Sequence, residues 1–343
     1  MTVAKPMLVI PVFIPHSGCP HRCAFCNQTY ITSHFESLPA RWDIEQTVTQ
    51  FLQYKGTRKE VELAFFGGNF LGLDPSDVKT YLDCARELKR RNMIDSVRFS
   101  TRPDTILPET LDLLTGYPVS AIEIGAQSMD DHVLDTARRG HTAEDTVRGA
   151  KMIREKGFSL GIQMMTGLPG DTDSTCIHTA KEILSLFPEF VRIYPLIVLK
   201  GSRIAEWYKA GTYTPPSLEQ GVRLVKTLYK LFTDHHIPVI RMGLQASDMF
   251  DDPDLAIAGP WHPAFGHLVV SELMYDRAEA AIRSHLERHP EETLVTLQVH
   301  PASESRLRGN KNENINRLKG RFPKLTIGIQ KELKIEKGEL AAL

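Results

Sequence analysis

"SLGIQMMTGLPGDTDSTCIHTAKEILSLF", residues 159–187, decides the fold class. Its opening, "SLGIQMMTG" (159–167), is a short apolar run that reads as a strand. "TGLPG" then breaks the run with Gly and Pro. "DSTCIHTAKEILSLF" follows with apolar residues at helical spacing. Strand, polar tip and helix make one βα unit, and the unit recurs on both sides. Upstream strands are expected at "MLVIPVFIP" (7–15), "VELAFFGG" (61–68), "SVRFSTR" (96–102) and "SAIEIGAQ" (120–127), and a downstream one at "FVRIYPLIVL" (190–199). Helical patterns lie between them. "DIEQTVTQFLQYKG" opens with Asp43 as its cap and stops near Gly56. "DPSDVKTYLDCARELKRRN" has Pro75 near its start. "TAEDTVRGAKMIREKG" starts at Thr142, with Asp145 placed for a capping box, and stops at Gly157. "SLEQGVRLVKTLYKLFTDHH" follows the same rule.

A βα repeat carried through six strands implies a parallel sheet with helices packed outside. Strands two to five end in "GGN", "STRPD", "GAQS" and "TGLPG". A barrel-like curl brings such tips to one mouth, at the C-terminal strand ends where catalytic groups gather. The expected fold is α/β: a partial (βα)6 TIM-like barrel over residues 1–236, with an open doubly wound sheet as the alternative. The pattern changes after residue 236, where "IPVIRMGLQ" (237–245), "AGPWHPAFGHLVVSELM" (258–274), "RAEAAIRSHLERH", "ETLVTLQVH", "ENINRLKGRF" and "KLTIGIQ" mix strands and helices. Residues 237–343 are therefore expected to form a small C-terminal α+β region, a candidate for substrate or RNA binding.

The chain has 343 residues, 42% apolar and 24% charged, which is ordinary for a soluble globular protein. A formal net charge of −1 excludes bulk attraction to nucleic acid or anionic membranes, so any basic surface is local. No apolar run approaches the roughly 20 residues of a membrane span. The N-terminal run reads as a strand rather than a signal peptide. A cytoplasmic protein without a membrane partner is expected.

The loop "GCPHRCAFCNQ" (18–28) holds three of the five cysteines, Cys19, Cys23 and Cys26, in a Cys-x3-Cys-x2-Cys spacing. This is not a disulfide framework. Cys84 and Cys176 stand alone in helical patterns and read as small buried hydrophobes. Thiolates suit zinc or iron–sulfur clusters. Three on one loop can hold three irons of a [4Fe–4S] cluster, leaving the fourth open to another ligand, as an open zinc position is. The other reading is zinc, with His16 or His21 as the fourth ligand.

The spacing, with Phe25 before the last Cys, resembles the signature of the radical S-adenosylmethionine (SAM) superfamily. The resemblance implies that the open iron is chelated by the amino and carboxylate groups of SAM. One electron from the cluster then cleaves SAM to methionine and a 5′-deoxyadenosyl radical, while the protein binds, orients and shields. "GGN" (Gly67, Gly68, Asn69) is similar to the superfamily's Gly-Gly motif, where glycine lets the backbone approach the amino end of SAM. A closer similarity is to the radical SAM core of Elongator protein 3, the tRNA-wobble-uridine-modifying family. It runs in order through "AFFGGNF", "STRPD", "IEIGAQS", "RRGHT", "GIQMMTGLPGDT" and "IYPLIVLKGSRIAEWYKAGTY", over roughly residues 10–215. Oxygen-independent coproporphyrinogen oxidases share the frame. By position, Ser100, Gln127, Arg139 and Gln163 match SAM-contacting places, and an Arg with neutral polar groups suits a carboxylate, ribose hydroxyls and adenine. Arg102 is a further candidate, although "TRPD" also reads as a turn. The implied partners are tRNA or RNA and an electron donor such as flavodoxin or ferredoxin. There are departures. The first two cysteines lie closer than in many Elongator-type proteins, and the residues after the core carry no sign of an acetyltransferase domain. No later Cys is available for an extra metal site. The acetyl-CoA-dependent reaction is therefore not carried over.

"RLRGNKNENINRLKGRFPK" (306–324) has seven basic residues against one acidic, Glu313. It loosely resembles a KH element, whose Gly-x-x-Gly loop grips a nucleic-acid backbone, with Asn312 in place of the second Gly. On that reading Arg306, Arg308, Lys311 and Arg317 contact phosphates; the other reading is a solvated helical face. "GPWHPAFGHL" (259–268) is a lid or a packed turn around Trp261, His262, Phe265 and His267, and Arg241 and Gln245 are candidates for the barrel mouth. The expected function is a radical SAM enzyme acting on tRNA. The alternatives are a radical SAM enzyme for a small molecule such as a porphyrinogen, and a non-enzymatic iron–sulfur or zinc protein.

Overall fold

A computed structural model describes residues 7–14, 18–27, 38–244 and 255–343; His16 and Gln245 lie outside them. The strands are β1 (Met7–Ile14), β2 (Glu60–Gly67), β3 (Ser96–Thr101), β4 (Val119–Gln127), β5 (Ser159–Thr166), β6 (Phe190–Pro195), β7 (Val198–Leu199) and β8 (Val239–Met242). Seven of them form one sheet in the order β1-β2-β3-β4-β5-β6-β8. Each neighbouring pair from β1 to β6 is parallel. A doubly wound sheet reverses its strand order at a switch point. This order never reverses, so the sheet winds one way, as a barrel does.

Side chains prove the curl. β2 and β6 are four strand spacings apart, about 19 Å across a flat sheet. Yet the Arg192 guanidinium of β6 lies 4.9 Å from the centre of the Phe66 ring of β2. The protein is a partial TIM-like barrel, and these residues face its lumen.

The helices that alternate with these strands along the chain are α1 (Arg41–Leu52), α2 (Pro75–Arg90), α3 (Pro108–Asp112), α4 (Asp131–Thr136), α5 (Ala143–Glu155), α6 (Asp173–Ser185), α7 (Arg203–Lys209) and α8 (Leu218–Asp234). The capping box of α5 forms as its sequence demands: Thr142 N–H donates to Asp145 Oδ2 at 2.8 Å, and Asp145 N–H to Thr142 Oγ1 at 3.3 Å. Asp43 is not the cap of α1. The helix starts earlier, and Asp43 reaches back to accept from Ala40 N–H at 2.8 Å. The run expected as one strand over 190–199 divides. β6 stops at Pro195, which has no N–H for a ladder, and β7 pairs antiparallel with β9 (Ala256–Ala258).

The described chain divides into two compact units, the second taking residues 216–230, 242–244 and 260–343. In the second, α9 (Phe265–Arg288), α10 (Glu304–Arg308) and α11 (Glu313–Arg321) pack with a three-stranded sheet. Its strands are β10 (Leu294–Val299), β11 (Thr326–Lys331) and β12 (Leu340–Ala342), in the order β11-β10-β12. Met274, Ala278 and Ile282 of α9 bury against Val295, Leu297 and Val299 of β10. The helices expected separately before and after residue 275 are one, because the apolar face continues through both. Among the described residues, no helix is long and apolar enough to cross a membrane.

Candidate functional site

The cysteine loop leaves β1 and is pinned from two sides. Ala24 N–H donates to Ala137 O at 2.9 Å, and Ile204 N–H donates to Ala24 O at 2.9 Å. Asn27 Nδ2 donates to Lys200 O. The third support comes from the tip of β2. Asn69 is fully buried; its Nδ2 donates to Gly18 O at 2.8 Å, while its Oδ1 accepts from Thr101 Oγ1, Arg102 N–H and Thr105 Oγ1 at 2.8, 3.0 and 2.9 Å. One amide thus ties the start of the loop to the tips of β2 and β3. The bracket needs glycine on both sides. A Cβ on Gly18, at φ +88°, would fall 2.6 Å from the Gly72 carbonyl carbon, and one on Gly72 would fall 2.1 Å from Asn69 Nδ2.

All five cysteines are free thiols, with Cys19, Cys23 and Cys26 partly exposed and Cys84 and Cys176 buried. Cys176 is more than a small hydrophobe: its Sγ donates to Asp171 Oδ2 at 2.9 Å. The loop thiols sense one another. Burial pushes Cys26 up to about 12, and its neighbours Cys23 and Cys19 add to the shift. Cys19 is raised by burial and then by Cys23. Against this, Arg139 Nη1 donates to Cys23 Sγ at 3.2 Å, and the same guanidinium lies 5.9 Å from the Phe25 ring centre.

This donor set fits a [4Fe–4S] cluster better than one zinc ion. Thiolates on one tetrahedral zinc, at 2.3 Å from it, sit about 3.8 Å apart. Among the described residues no three His, Cys, Asp or Glu groups are placed to share a single ion. Sulfurs on three irons stand farther apart. The ring of the exposed His21 lies over Gly140, where a Cβ would fall 2.4 Å from it.

The strand tips converge around the loop. Gly67, at φ +104°, has no room for a Cβ, which would fall 2.4 Å from Ile14 O; Gly68 N–H donates to that same oxygen at 3.0 Å. Gln127 ends β4 in the left-handed region, at φ +67°. A Cβ on Gly125 would meet Gln127 Nε2 at 2.9 Å and Arg139 Nη2 at 3.5 Å, so both side chains fold over that glycine. Arg139 Nη2 donates to Gly125 O at 2.7 Å. Arg139 Nε and Arg102 Nη1 are buried without a hydrogen-bond partner. Buried guanidinium donors of this kind suit a carboxylate.

Asn69 and Arg102, two of the expected SAM contacts, have protein partners. The Asn69 side chain is taken up by the bracket, with both ends on protein partners, so it positions the loop. Arg102 pairs with Asp104, Nε to Oδ1 at 2.9 Å, and its Nη2 donates to Arg139 O. It is the anchor of the "TRPD" turn and holds Arg139 in place. Arg139 and Arg102 also act on His141, which is buried with Nε2 3.2 Å from Ala126 O. Burial first, and then these two guanidiniums, push His141 down to about 3.

Ser100 and Gln163 face the lumen as a joined pair, Gln163 Nε2 donating to Ser100 Oγ at 2.9 Å and to Glu123 Oε2 at 2.7 Å. Glu123 belongs to a buried network that sequence reasoning missed. Arg98 bridges Glu62 at 2.9 Å and Glu123 at 3.2 Å; Arg192 pairs with Glu123 at 3.0 Å and donates to Tyr194 Oη at 3.2 Å. The Phe66 ring lies against both guanidiniums. Burial raises Glu62 despite Arg98. These charges floor the lumen beneath the tips. Their signal was present in "SVRFS", "AIEIG" and "FVRIY": one charged residue inside each apolar strand. Arg241, on β8, is half-buried, with its ionisation disfavoured by burial and by Arg192.

In the second unit, the basic stretch is partly neutralised from within. Arg308 pairs with Glu304 at 2.9 Å and Arg321 with Glu279 at 3.5 Å, while Arg317 pairs with Glu272 and lies 3.8 Å from the Tyr275 ring centre. Arg306, Lys311, Lys319 and Lys324 stay exposed. The "GPWHPAFGHL" segment contains a turn in which His262 Nδ1 accepts from Ala264 N–H at 3.0 Å.

Comparison with known proteins gives the family. The family profile of the radical SAM superfamily matches residues 13–183, and that of the radical SAM C-terminal domain matches residues 188–275. An uncharacterised protein of Methanocaldococcus jannaschii is 26% identical over 71% of this chain and 77% of its own length. A tRNA uridine(34) acetyltransferase of Methanocaldococcus infernus is 24% identical over 63% of this chain and 48% of its own. Elongator complex protein 3 of Danio rerio is 24% identical over 72% of this chain and 55% of its own. The chain thus spans about half the length of these two relatives. The solved archaeal Elp3 of M. infernus shares the fold, with a TM-score of 0.60 at 18% identity, over 85% of this chain and 65% of that one. The three-cysteine loop, the glycine-lined strand tips and these matches lead to one family: the chain belongs to the radical SAM superfamily, whose enzymes use a [4Fe–4S] cluster and S-adenosylmethionine.

Proposed function

We propose that this radical SAM enzyme modifies tRNA. The observation that carries the reading is the match to tRNA uridine(34) acetyltransferases across 63% of the chain. The exposed Arg306, Lys311, Lys319 and Lys324 support it, since such groups neutralise phosphates. In this reading residues 1–236 are the radical SAM core and residues 237–343 help bind RNA. Cysteines that read as cluster ligands rather than a disulfide framework fit a cytoplasmic setting.

Within the core, Cys19, Cys23 and Cys26 hold the cluster, each through one iron. Gly67 and Gly68 offer backbone beside the amino end of SAM. Arg139 serves its carboxylate, while Gln127, Ser100, Gln163 and Phe25 bound the ribose and adenine. Asn69 and Arg102 act through neighbours, by fixing the loop and Arg139. When bound, the cluster and SAM supply one-electron chemistry that removes a hydrogen atom from the substrate. The chain's own residues orient that chemistry and exclude water from it. A flavodoxin or ferredoxin is the expected source of the electron.

Filter binding to bulk tRNA tests the substrate class. The reading predicts binding that weakens steeply with salt, and about a ten-fold loss for Lys319→Glu/Lys324→Glu at low salt. No retention of tRNA at low ionic strength would contradict it.

A further inference from the structure

The SAM reading leaves one side of the lumen without a task. Tyr194, on β6, is half-buried and shares the lumen face with Arg192, two residues before it. Arg192 Nη1 donates to Tyr194 Oη at 3.2 Å, so the phenol's own proton points elsewhere. Among the described residues that proton meets no acceptor. The hydroxyl is also firmly held. Arg192 is fixed by Glu123 at 3.0 Å, and Glu123 in turn by Gln163 Nε2 at 2.7 Å and Arg98 at 3.2 Å. A tyrosine that only meets water needs no such support.

Across the curl stands an aromatic wall. The Phe66 ring centre lies 4.9 Å from the Arg192 guanidinium and 6.5 Å from the Phe13 ring centre. Phe13 is on the face of β1 opposite the buried Leu8, Ile10, Val12 and Ile14, and it stays 51% exposed. Arg98 and Arg192 already have carboxylate partners, so what this wall and Tyr194 hold out to a ligand is neutral: one O–H donor and an open ring face. A planar ring bearing a carbonyl oxygen answers both, the ring against Phe13 and the oxygen accepting from Tyr194. From this juxtaposition we propose that Tyr194 and Phe13 determine substrate specificity by receiving an oxo-pyrimidine base of the RNA. The proposal deepens the tRNA reading and rests on it for the source of the base.

The test measures anisotropy of labelled RNA hairpins against the reconstituted protein with SAM at low ionic strength. The hairpins share one stem and an adenine loop that carries a single uridine, 2-thiouridine, 4-thiouridine or abasic site. Sulfur is a poorer acceptor than oxygen, so one of the two thio loops should bind the wild-type protein about five-fold more weakly than the uridine loop. In Tyr194→Phe the uridine loop should bind about ten-fold more weakly, and that thio penalty should vanish. Phe13→Ala should cost the uridine loop about ten-fold and the abasic loop nothing, while Phe13→Trp keeps wild-type affinity. A wild-type protein indifferent to both thio loops overturns the proposal. So does a Tyr194→Phe variant that weakens the uridine and abasic loops equally, which would put the hydroxyl on the RNA backbone. If no hairpin is retained, the tRNA reading fails, and saturation-transfer NMR with free uridine still decides the base site. Transfer in the wild type that is lost in Phe13→Ala supports the site, and no transfer in the wild type overturns it.

Discussion

The floor and the mouth of the barrel are both built from buried charge, and they differ in how that charge is met. On the floor, Glu123 takes Arg98 and Arg192 at 3.2 and 3.0 Å, and Glu62 takes Arg98 at 2.9 Å. Each ion has a protein counter-ion. At the mouth, Arg102 takes Asp104 at 2.9 Å, whereas Arg139 meets only a carbonyl and a thiol, Gly125 O at 2.7 Å and Cys23 Sγ at 3.2 Å. A charge set that closes on itself serves the fold. One that stays open to a missing group serves a ligand.

This contrast sets the order of expected effects. At the mouth, replacing Cys19, Cys23 or Cys26 by Ala removes one of three protein ligands, and reconstituted iron content should fall by about ten-fold or more. Cys84→Ala, buried in α2, should leave it unchanged. On the floor, Glu123→Gln leaves Arg192 without its carboxylate and Arg98 with Glu62 alone, and should destabilise the fold by about 3 kcal/mol, read from the urea midpoint. If it costs nothing, the floor is not the closed network described. The Asn69 bracket joins both regions. Asn69→Ala leaves several buried partners unmet, about 1–3 kcal/mol, and should also lower cluster occupancy; stability loss without occupancy loss would show that the loop does not need the bracket. His141 gives the smallest effect. Burial holds its folded pKa at about 3, below the ordinary histidine value of 6.5. Its contribution is therefore complete above pH 6.5 and is lost as pH falls toward 3, since only the unfolded chain takes up the proton. His141→Gln should lessen the loss of stability between pH 6.5 and 5.5 by about 1 kcal/mol. An identical acid profile in both proteins would show that His141 takes up its proton without unfolding.

The mouth was legible in the sequence because its parts are local. Three cysteines lie on one loop, and glycines and polar residues fall at strand ends. The winding of the sheet followed from the regular βα alternation. The floor was hidden because Glu62, Arg98, Glu123 and Arg192 come from four strands, and only register and curl make them neighbours. The role of Asn69 was hidden for a related reason. "GGN" names the glycine approach, but Gly18 and Thr101, which the amide ties together, are distant in sequence. In the C-terminal region, composition overstated the basic face, because Glu272, Glu279 and Glu304 lie outside or at the edge of the basic run and pair with Arg317, Arg321 and Arg308.

The central claim is that the open mouth holds a cluster with one iron available to SAM. The direct measurement is the paramagnetic resonance spectrum of the anaerobically reconstituted, one-electron-reduced protein, recorded before and after adding SAM. The account predicts a [4Fe–4S] signal whose shape shifts when SAM is added. Stoichiometric zinc without iron, or a cluster signal that SAM leaves unmoved, would contradict it.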